Sequence, residues 1–398
     1  MHITIVGGGF GGVKAALEIA RDRSCDVTLI TDRPDFQYYP TLYSAATGRS
    51  HRESWIPLGE IFADYPNVDV FIDEIVGINP KKCELKGESG TVYEYSEVIF
   101  SIGVVTTYFN IPGLEAYAYG IKSEAEIQKL KHRLFIDIAE QRQYDRNYII
   151  VGAGPTGVEL AASLGTYIKR LAQYYELKER PVTIRLIEAA PRVLPRMSEE
   201  TSRRVEHRLK TLGIKVQTNK KVEKATSSEL IVSGKSIESH TIIWTSGVAN
   251  HPFFAAHPKV FTLNERGKVV VDEYMQAAPN IYVIGDNADT PHSGLAQTAL
   301  HDGLTVAKNI LRKHSGRDLE PYRTVTPAHV VPVGPHWAAF EWKGFRVYGL
   351  AASWLRRAAN LIGYRDILPI GTAIGAWKAG KVYENDYFTP SGRVKKRR

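Results

Sequence analysis

Two six-residue loops carry glycine at the same three places: Gly7-Gly8-Gly9-Phe10-Gly11-Gly12 and Gly152-Ala153-Gly154-Pro155-Thr156-Gly157. In a G-x-G-x-x-G loop the first glycine permits a tight turn. The second lets a pyrophosphate approach the backbone, and the third lets a helix pack closely on a strand. Bare N–H groups and the positive end of a helix then hold phosphate, so the chemistry on offer is nucleotide recognition. Two carboxylates stand where such chemistry uses them. Glu188 closes the run Val182-Thr183-Ile184-Arg185-Leu186-Ile187, where it would bind ribose hydroxyls and repel a 2′-phosphate. Asp286 follows Gly285 at the end of Asn280-Ile281-Tyr282-Val283-Ile284, which is either an ordinary strand end or a place where a carboxylate can bond a ribityl chain.

The elements needed to position these loops are legible on both sides of them. Ile3-Thr4-Ile5-Val6 reads as a strand, an alanine-rich helix runs to about Ala20, and Val27-Thr28-Leu29-Ile30 reads as the next strand. The pattern returns with strand Tyr148-Ile149-Ile150-Val151 and helix Val158-Glu159-Leu160-Ala161-Ala162. One such loop is an ordinary glycine turn in many α/β domains. Two, each between a strand and a helix, predict two dinucleotide sites. One tightly held and one exchanging dinucleotide suggests FAD and NAD(H). Ile99-Phe100-Ser101-Ile102-Gly103 and Ile242-Ile243-Trp244-Thr245-Ser246-Gly247 resemble the two strand-to-glycine crossings by which the two-dinucleotide-binding flavoproteins leave and re-enter their FAD domain, which would make the NAD domain an insertion. The expected fold is α/β, with two Rossmann-like domains. The FAD domain covers 1–112 and 246–322, an NAD(H) domain at 113–245 is inserted in it, and a C-terminal membrane-docking region covers 323–398.

Composition excludes several classes. With 398 residues, 43% hydrophobic and 24% charged, the chain is globular and long enough for two or three domains. No run of about 18 apolar residues predicts a membrane-spanning helix. The first strand begins next to Met1, so no signal or transit peptide is expected, and residence on the cytoplasmic side follows from that expectation. Only Cys25 and Cys83 occur, far apart and in no CxxC or metal-ligand pattern. A redox disulfide and a metal site are not expected. The net charge of +8 suits an anionic membrane surface. No aromatic-interleaved basic stretch suggests nucleic acid.

The motifs together resemble the type II NADH dehydrogenases, the non-pumping NADH:quinone oxidoreductases, over nearly the whole chain. The resemblance rests on Tyr39-Pro40-Thr41-Leu42-Tyr43, Ala45-Ala46-Thr47-Gly48, Tyr108-Phe109-Asn110-Ile111-Pro112-Gly113 and Glu188-Ala189-Ala190-Pro191-Arg192-Val193-Leu194-Pro195. It also rests on Ser293-Gly294-Leu295-Ala296-Gln297-Thr298-Ala299-Leu300-His301, similar to the AQxAxQ quinone motif with histidine in the last place. The stretch from Gly152 to Glu188 exceeds the ~20 positions of a compact unit. Its extra length, Tyr167 to Arg180, has a helical pattern that resembles the family's lengthened helix.

The resemblance implies FAD on Gly7, Gly9, Phe10, Gly11, Gly12, Ile75, Gly103, Gly285, Asp286, Ala296 and Gln297. Thr31, with Asp32 beside it, takes the place of the first fingerprint's acid. It implies NADH on Gly152, Gly154, Pro155, Thr156, Gly157, Glu159, Glu188 and Gly247. It implies Glu159, Gln297 and His301 as the residues that serve a membrane quinone, ubiquinone or menaquinone. Glu159, otherwise a helix-start charge, would supply protons. A soluble reductase of a protein acceptor and an NADH-sensing flavoprotein are the competing readings, and a homodimer is left open.

The C-terminal region adds an amphipathic helix. Leu350, Ala351, Trp354, Leu355, Ala358, Leu361 and Ile362 share one arc; Ser353, Arg356, Arg357 and Asn360 share the other. A second apolar segment starts near Pro369, and Arg393, Lys395, Lys396, Arg397 and Arg398 end the chain. Each basic group near an anionic surface adds about 1 kcal/mol, so a peripheral helix in the headgroup layer is expected.

Overall fold

The computed structural model describes residues 1–178 and 180–384. Its first sheet has six strands in the order Gln276–Ala278, Ile281–Val283, Glu97–Phe100, His2–Val6, Asp26–Thr31 and Val68–Ile72. All but the first pair are parallel, with Val6 opposite both Ile30 and Phe100. Ile3, Ile5, Leu29, Ile30 and Ile99 are fully buried because parallel strands here are covered on both faces.

A second parallel sheet runs Ala118–Tyr119, Thr241–Trp244, Tyr148–Val151, Ile184–Ile187 and Lys215–Gln217. All its strands fall in sequence between Phe100 and Gln276, so it is an insertion into the first fold. The two crossings meet as antiparallel partners, Val104–Thr106 against Val248–Asn250. Gly103 is locked to the first fold by a reciprocal pair with Asn287: its N–H donates to Oδ1 at 2.9 Å and its carbonyl accepts from Nδ2 at 2.5 Å.

Three features depart from the sequence reading. The long helix spans Pro155–Tyr174, so it ends before Arg180. Its added length packs Tyr167 against Gly48, where a Cβ would fall 2.4 Å from the ring. The C-terminal region opens with an unforeseen antiparallel sheet, His329–Pro332, Ala338–Trp342 and Phe345–Gly349. Helices Leu350–Arg365 and Ile370–Ala379 follow, with Pro369 capping the second rather than starting it.

The first of these helices turns its arcs in an unusual sense. Trp354 and Ile362 are 69% and 62% exposed, whereas the Arg356 side chain is only 13% exposed. The basic tail beyond residue 384 lies outside the described residues. Among the described residues, no helix is long and apolar enough to cross a membrane, and no cluster of side chains could hold a metal ion.

Candidate active site

The two glycine loops have the same geometry. Gly7 and Gly152 sit at φ of +109° and +104°, which a side chain rarely adopts. Their N–H groups donate to Ile30 at 2.8 Å and Ile187 at 2.7 Å, the residue before the acid position in each fold. A Cβ on Gly12 would meet the Gly7 carbonyl oxygen at 1.9 Å, and one on Gly157 would meet that of Gly152 at 1.8 Å. Gly9 and Gly154 face open space, where a Cβ would touch nothing within 4 Å. The helices that follow start without a side-chain cap or an acidic residue in their first turn. Their first N–H groups are therefore available for phosphate.

The acid positions differ. Glu188 accepts hydrogen bonds from the N–H groups of Ala153 at 2.6 Å and Ala190 at 2.8 Å. Arg192 is committed elsewhere, to Met197, Pro195 and Ser202. In the first fold the matching residue is Thr31, buried against Gly8. Asp32 stands beside it at the rim, paired with Arg33 at 2.6 Å. Burial works against the Asp32 charge, but Arg33 outweighs it and holds the carboxyl low.

Gly285 begins a short turn at φ +67°, and its N–H donates at 3.0 Å to the buried Asp302 carboxylate beneath it. Burial pushes Asp302 up to about 6. Asp286 follows, raised by burial, with Lys268 and Lys122 opposing. Lys268 bonds the Asp286 carbonyl at 3.0 Å, and Lys122 bonds the Gly247 carbonyl at 3.2 Å. Burial lowers both lysines. Helix Ala296–His314 also starts without a side-chain cap, and its Gly303 meets Gly11 of the first helix so closely that a Cβ would lie 2.4 Å from the Gly11 carbonyl. Ile75 is a buried member of the core that covers the first sheet.

Glu159 lies one turn deeper than expected, because its helix begins at Pro155. The helix-start explanation for its charge therefore fails. The carboxylate is buried, and burial pushes it up to about 7 against the pull of Arg356 at 3.6 Å. Arg356 also donates to the carbonyls of Val330 at 3.3 Å and Pro40 at 2.5 Å, which joins three parts of the chain at this carboxyl. Tyr38, Tyr43 and Glu53 complete the environment. Glu53 accepts from the Ser44 hydroxyl at 3.0 Å, and burial pushes it up to about 7.

Gln297 exchanges two hydrogen bonds with Ala328, at 3.3 and 3.1 Å. His301, one turn on, donates to the Arg323 carbonyl at 2.7 Å. Segment 328–330 thus links Gln297 to Arg356 and so to Glu159, whereas His301 is tied to the chain further back.

A family model described as pyridine nucleotide-disulphide oxidoreductase matches residues 1–303. The chain belongs to this family. It is similar to the type II NADH:quinone oxidoreductase NdhA of Mycobacterium tuberculosis, at 26% identity over 94% of this chain and 86% of that one. The type II NADH:quinone oxidoreductase of Staphylococcus saprophyticus is 25% identical over 95% and 98% of the two chains. Among solved structures, NDH2 from Plasmodium falciparum in complex with NADH shares the fold with a TM-score of 0.82, at 18% identity over 96% and 98%. The sulfide:quinone oxidoreductase of Aquifex aeolicus gives 0.77, at 18% identity over 96% and 91%.

Both cysteines of the chain, Cys25 and Cys83, are free. Cys25 is buried just ahead of strand Asp26–Thr31, whose other end, about 20 Å on, faces the glycine loop. Cys83 sits beside the turn between Ile75–Asn79 and Glu84–Gly87. Lys122, Lys268, Asp302, Glu53 and Arg356 were not among the expected site residues. Lys122, Lys268 and Glu53 have no motif around them, Asp302 falls just past the Ser293–His301 motif, and only the fold brings each beside the expected site residues.

Proposed function

We propose that this protein oxidises NADH through bound FAD and reduces a membrane quinone without pumping protons. The residues fit FAD: an open glycine at Gly9 for its pyrophosphate, an uncapped helix start behind it, and Asp286 for the ribityl hydroxyls. Bound FAD would accept a hydride from NADH and deliver two electrons to an acceptor. NADH would lie across Gly152–Gly157, with Glu188 on its ribose and the exposed Pro155 and Thr156 leaving its entry open. We assign 1–112 and 246–322 to the flavin, 113–245 to NADH and 323–398 to docking on the membrane.

The observation that carries the reading is Glu159. A carboxyl pushed to about 7 and held by Arg356 can give and regain a proton at neutral pH, which quinone reduction requires. Gln297, on the helix that begins at Ala296, supports the quinone side, and His301 would hold the chain behind it. Outward-facing Trp342, Phe345, Leu350, Trp354, Ile362 and Ile370 give the C-terminal region a broad apolar face with interfacial tryptophan. That face supports peripheral docking, and we place it on the cytoplasmic side, where NADH is produced.

A sulfide-oxidising enzyme would need cysteines that carry sulfur, and neither Cys25 nor Cys83 falls in a matching place. A soluble reductase of a protein acceptor leaves the apolar face without a purpose. The test is a yellow protein bleached by NADH and recoloured by ubiquinone or menaquinone analogues. Turnover with an iron–sulfur protein but with no quinone would replace this reading with the soluble reductase.

A further inference from the structure

We propose that the cleft between helix Glu199–Thr211 and the C-terminal sheet holds the headgroup of an anionic phospholipid. This rests on the docking reading above and adds a specific contact to it. The cleft has a volume of about 640 Å³ and is lined by Arg203, Arg204, His207 and Arg208 on one side and Trp337, Tyr348 and Gly349 on the other. That volume falls in the range of pockets that take a small molecule, roughly 300–1,000 Å³.

The helix spacing places the cations. Arg203 and His207 lie one turn apart, as do Arg204 and Arg208, so two rows of basic groups face the same opening. Their charges are unevenly compensated. Arg204 is paired with Glu200 at 3.1 Å and lies 4.6 Å over the Tyr348 ring. Glu200 is shared with Arg346 at 3.0 Å. Arg208 donates to the carbonyls of Val333 and Pro335, at 3.3 and 3.4 Å, which fix its position without cancelling its charge. Arg203 and His207 are exposed and bond no other side chain among the described residues. The Trp337 indole N–H also has no acceptor among them. Excess positive charge with free donors is what a phosphodiester needs.

The opposite wall suits the rest of a lipid. Trp337 and Tyr348 stand 6.3 Å apart at an interplanar angle of 23°, a pair of rings with polar tips. Gly349, at φ +83°, turns the chain directly into helix Leu350–Arg365. The exposed Leu350 and Trp354 therefore continue from the rim of the cleft. A phosphate seated on Arg203 and Arg208 would leave its glycerol against the rings and its acyl chains along the apolar helix face. A soluble anion would have no use for that wall. Basic pockets at the edge of an apolar surface recognise lipid headgroups in this way.

Co-sedimentation of the flavin-loaded full chain tests the assignment, with vesicles of phosphatidylcholine alone and of equimolar phosphatidylcholine and phosphatidylglycerol. The variant is Arg203→Gln with His207→Gln, two exposed side chains whose loss breaks no bond in the fold. Lys82→Gln, far away on the flavin fold, is the control for lost net charge. We expect the double variant to bind the anionic vesicles about tenfold more weakly than the native chain, with little change on phosphatidylcholine alone. Lys82→Gln should stay within about twofold. Equal losses in the double variant and the control would overturn the headgroup site while leaving docking intact. Native protein that sediments with neither vesicle would remove the docking reading itself. Inorganic phosphate that stabilises the chain as much as anionic vesicles do would assign the cleft to a soluble anion. A change of oligomeric state in the lipid-free double variant would give the cleft to a second copy of the chain. Either result would also overturn the lipid assignment.

Discussion

The two glycine loops share every backbone role and differ in what surrounds them. Phe10, Gly11 and Gly12 of the first are buried, and Phe10 packs on Phe36 at 5.0 Å and Tyr38 at 5.4 Å. Helix Ala296–His314 closes over that loop through Gly303. In the second loop Pro155 and Thr156 are exposed, and nothing comparable covers them. Under the proposed function, the same local recipe would serve one dinucleotide walled in by aromatic rings and helix, and another that can come and go. The cover, rather than the loop, would then set the residence time.

The largest expected effect separates the two. A Cβ on Gly12 or Gly157 would strike a backbone carbonyl, and overpacking of about 3 kcal/mol corresponds to about 100-fold in affinity. Gly12→Ala should purify without flavin. Gly157→Ala should stay yellow yet need about 100-fold more NADH to bleach, read by stopped-flow absorbance. Loss of flavin from Gly157→Ala would mean that the two sites are not independent.

The next effect tests the buried carboxyl on the helix that follows the second loop. Glu159→Gln should slow quinone reduction by roughly 100-fold and leave flavin bleaching by NADH within about twofold. The native chain donates from a protonated carboxyl with its midpoint at about 7, so its quinone rate should fall as pH rises through that value. The variant should lose that dependence. A native profile that is flat across this range would remove Glu159 from the proton path.

What the sequence made legible follows from where each constraint lives. Gly7, Gly9 and Gly12, with Gly152, Gly154 and Gly157, are local constraints, so spacing alone identified them and predicted both folds. Glu188 and Asp286 were equally visible, since a strand end fixes them. Arg356 was not, because a helical wheel counts it as polar and outward. Its partner Glu159 lies almost two hundred positions earlier, and that pairing turns the arc inward. The C-terminal sheet was missed although its hairpin carries Lys343-Gly344, both at positive φ, a turn signal that could have been read. Lys122, Lys268 and Glu53 had no local signature.

Glu53 offers a smaller test through stability. It has no cation in ion-pair range among the described residues, and burial pushes it from 4.5 up to about 7. The folded state thus binds a proton more readily than the unfolded chain between those values. Stability falls as pH rises through that window, and the penalty is complete above about 7. Glu53→Gln removes the ionisation and should stabilise the flavin-loaded chain by ~2 kcal/mol at alkaline pH, with the gain vanishing in mild acid. Equal melting shifts at both ends of the range would show that the Glu53 charge is not what burial penalises.

The smallest effect returns to the second loop and asks how it tells its dinucleotide from the phosphorylated one. Both Glu188 oxygens already accept a backbone N–H, from Ala153 and Ala190, so the carboxylate is fixed in place before any ligand arrives. Arg192, the nearby cation that could welcome a 2′-phosphate, is spent on Met197, Pro195 and Ser202. On the proposed reading, discrimination against NADPH would rest on the charge of one residue. Glu188→Gln keeps an acceptor for one of the two N–H groups and removes the repulsion. It should narrow the ratio of kcat/KM for NADH over NADPH by about tenfold, chiefly by improving NADPH. An unchanged ratio would mean that Glu188 serves only to brace the turn, and that the cover over the nicotinamide end chooses the substrate.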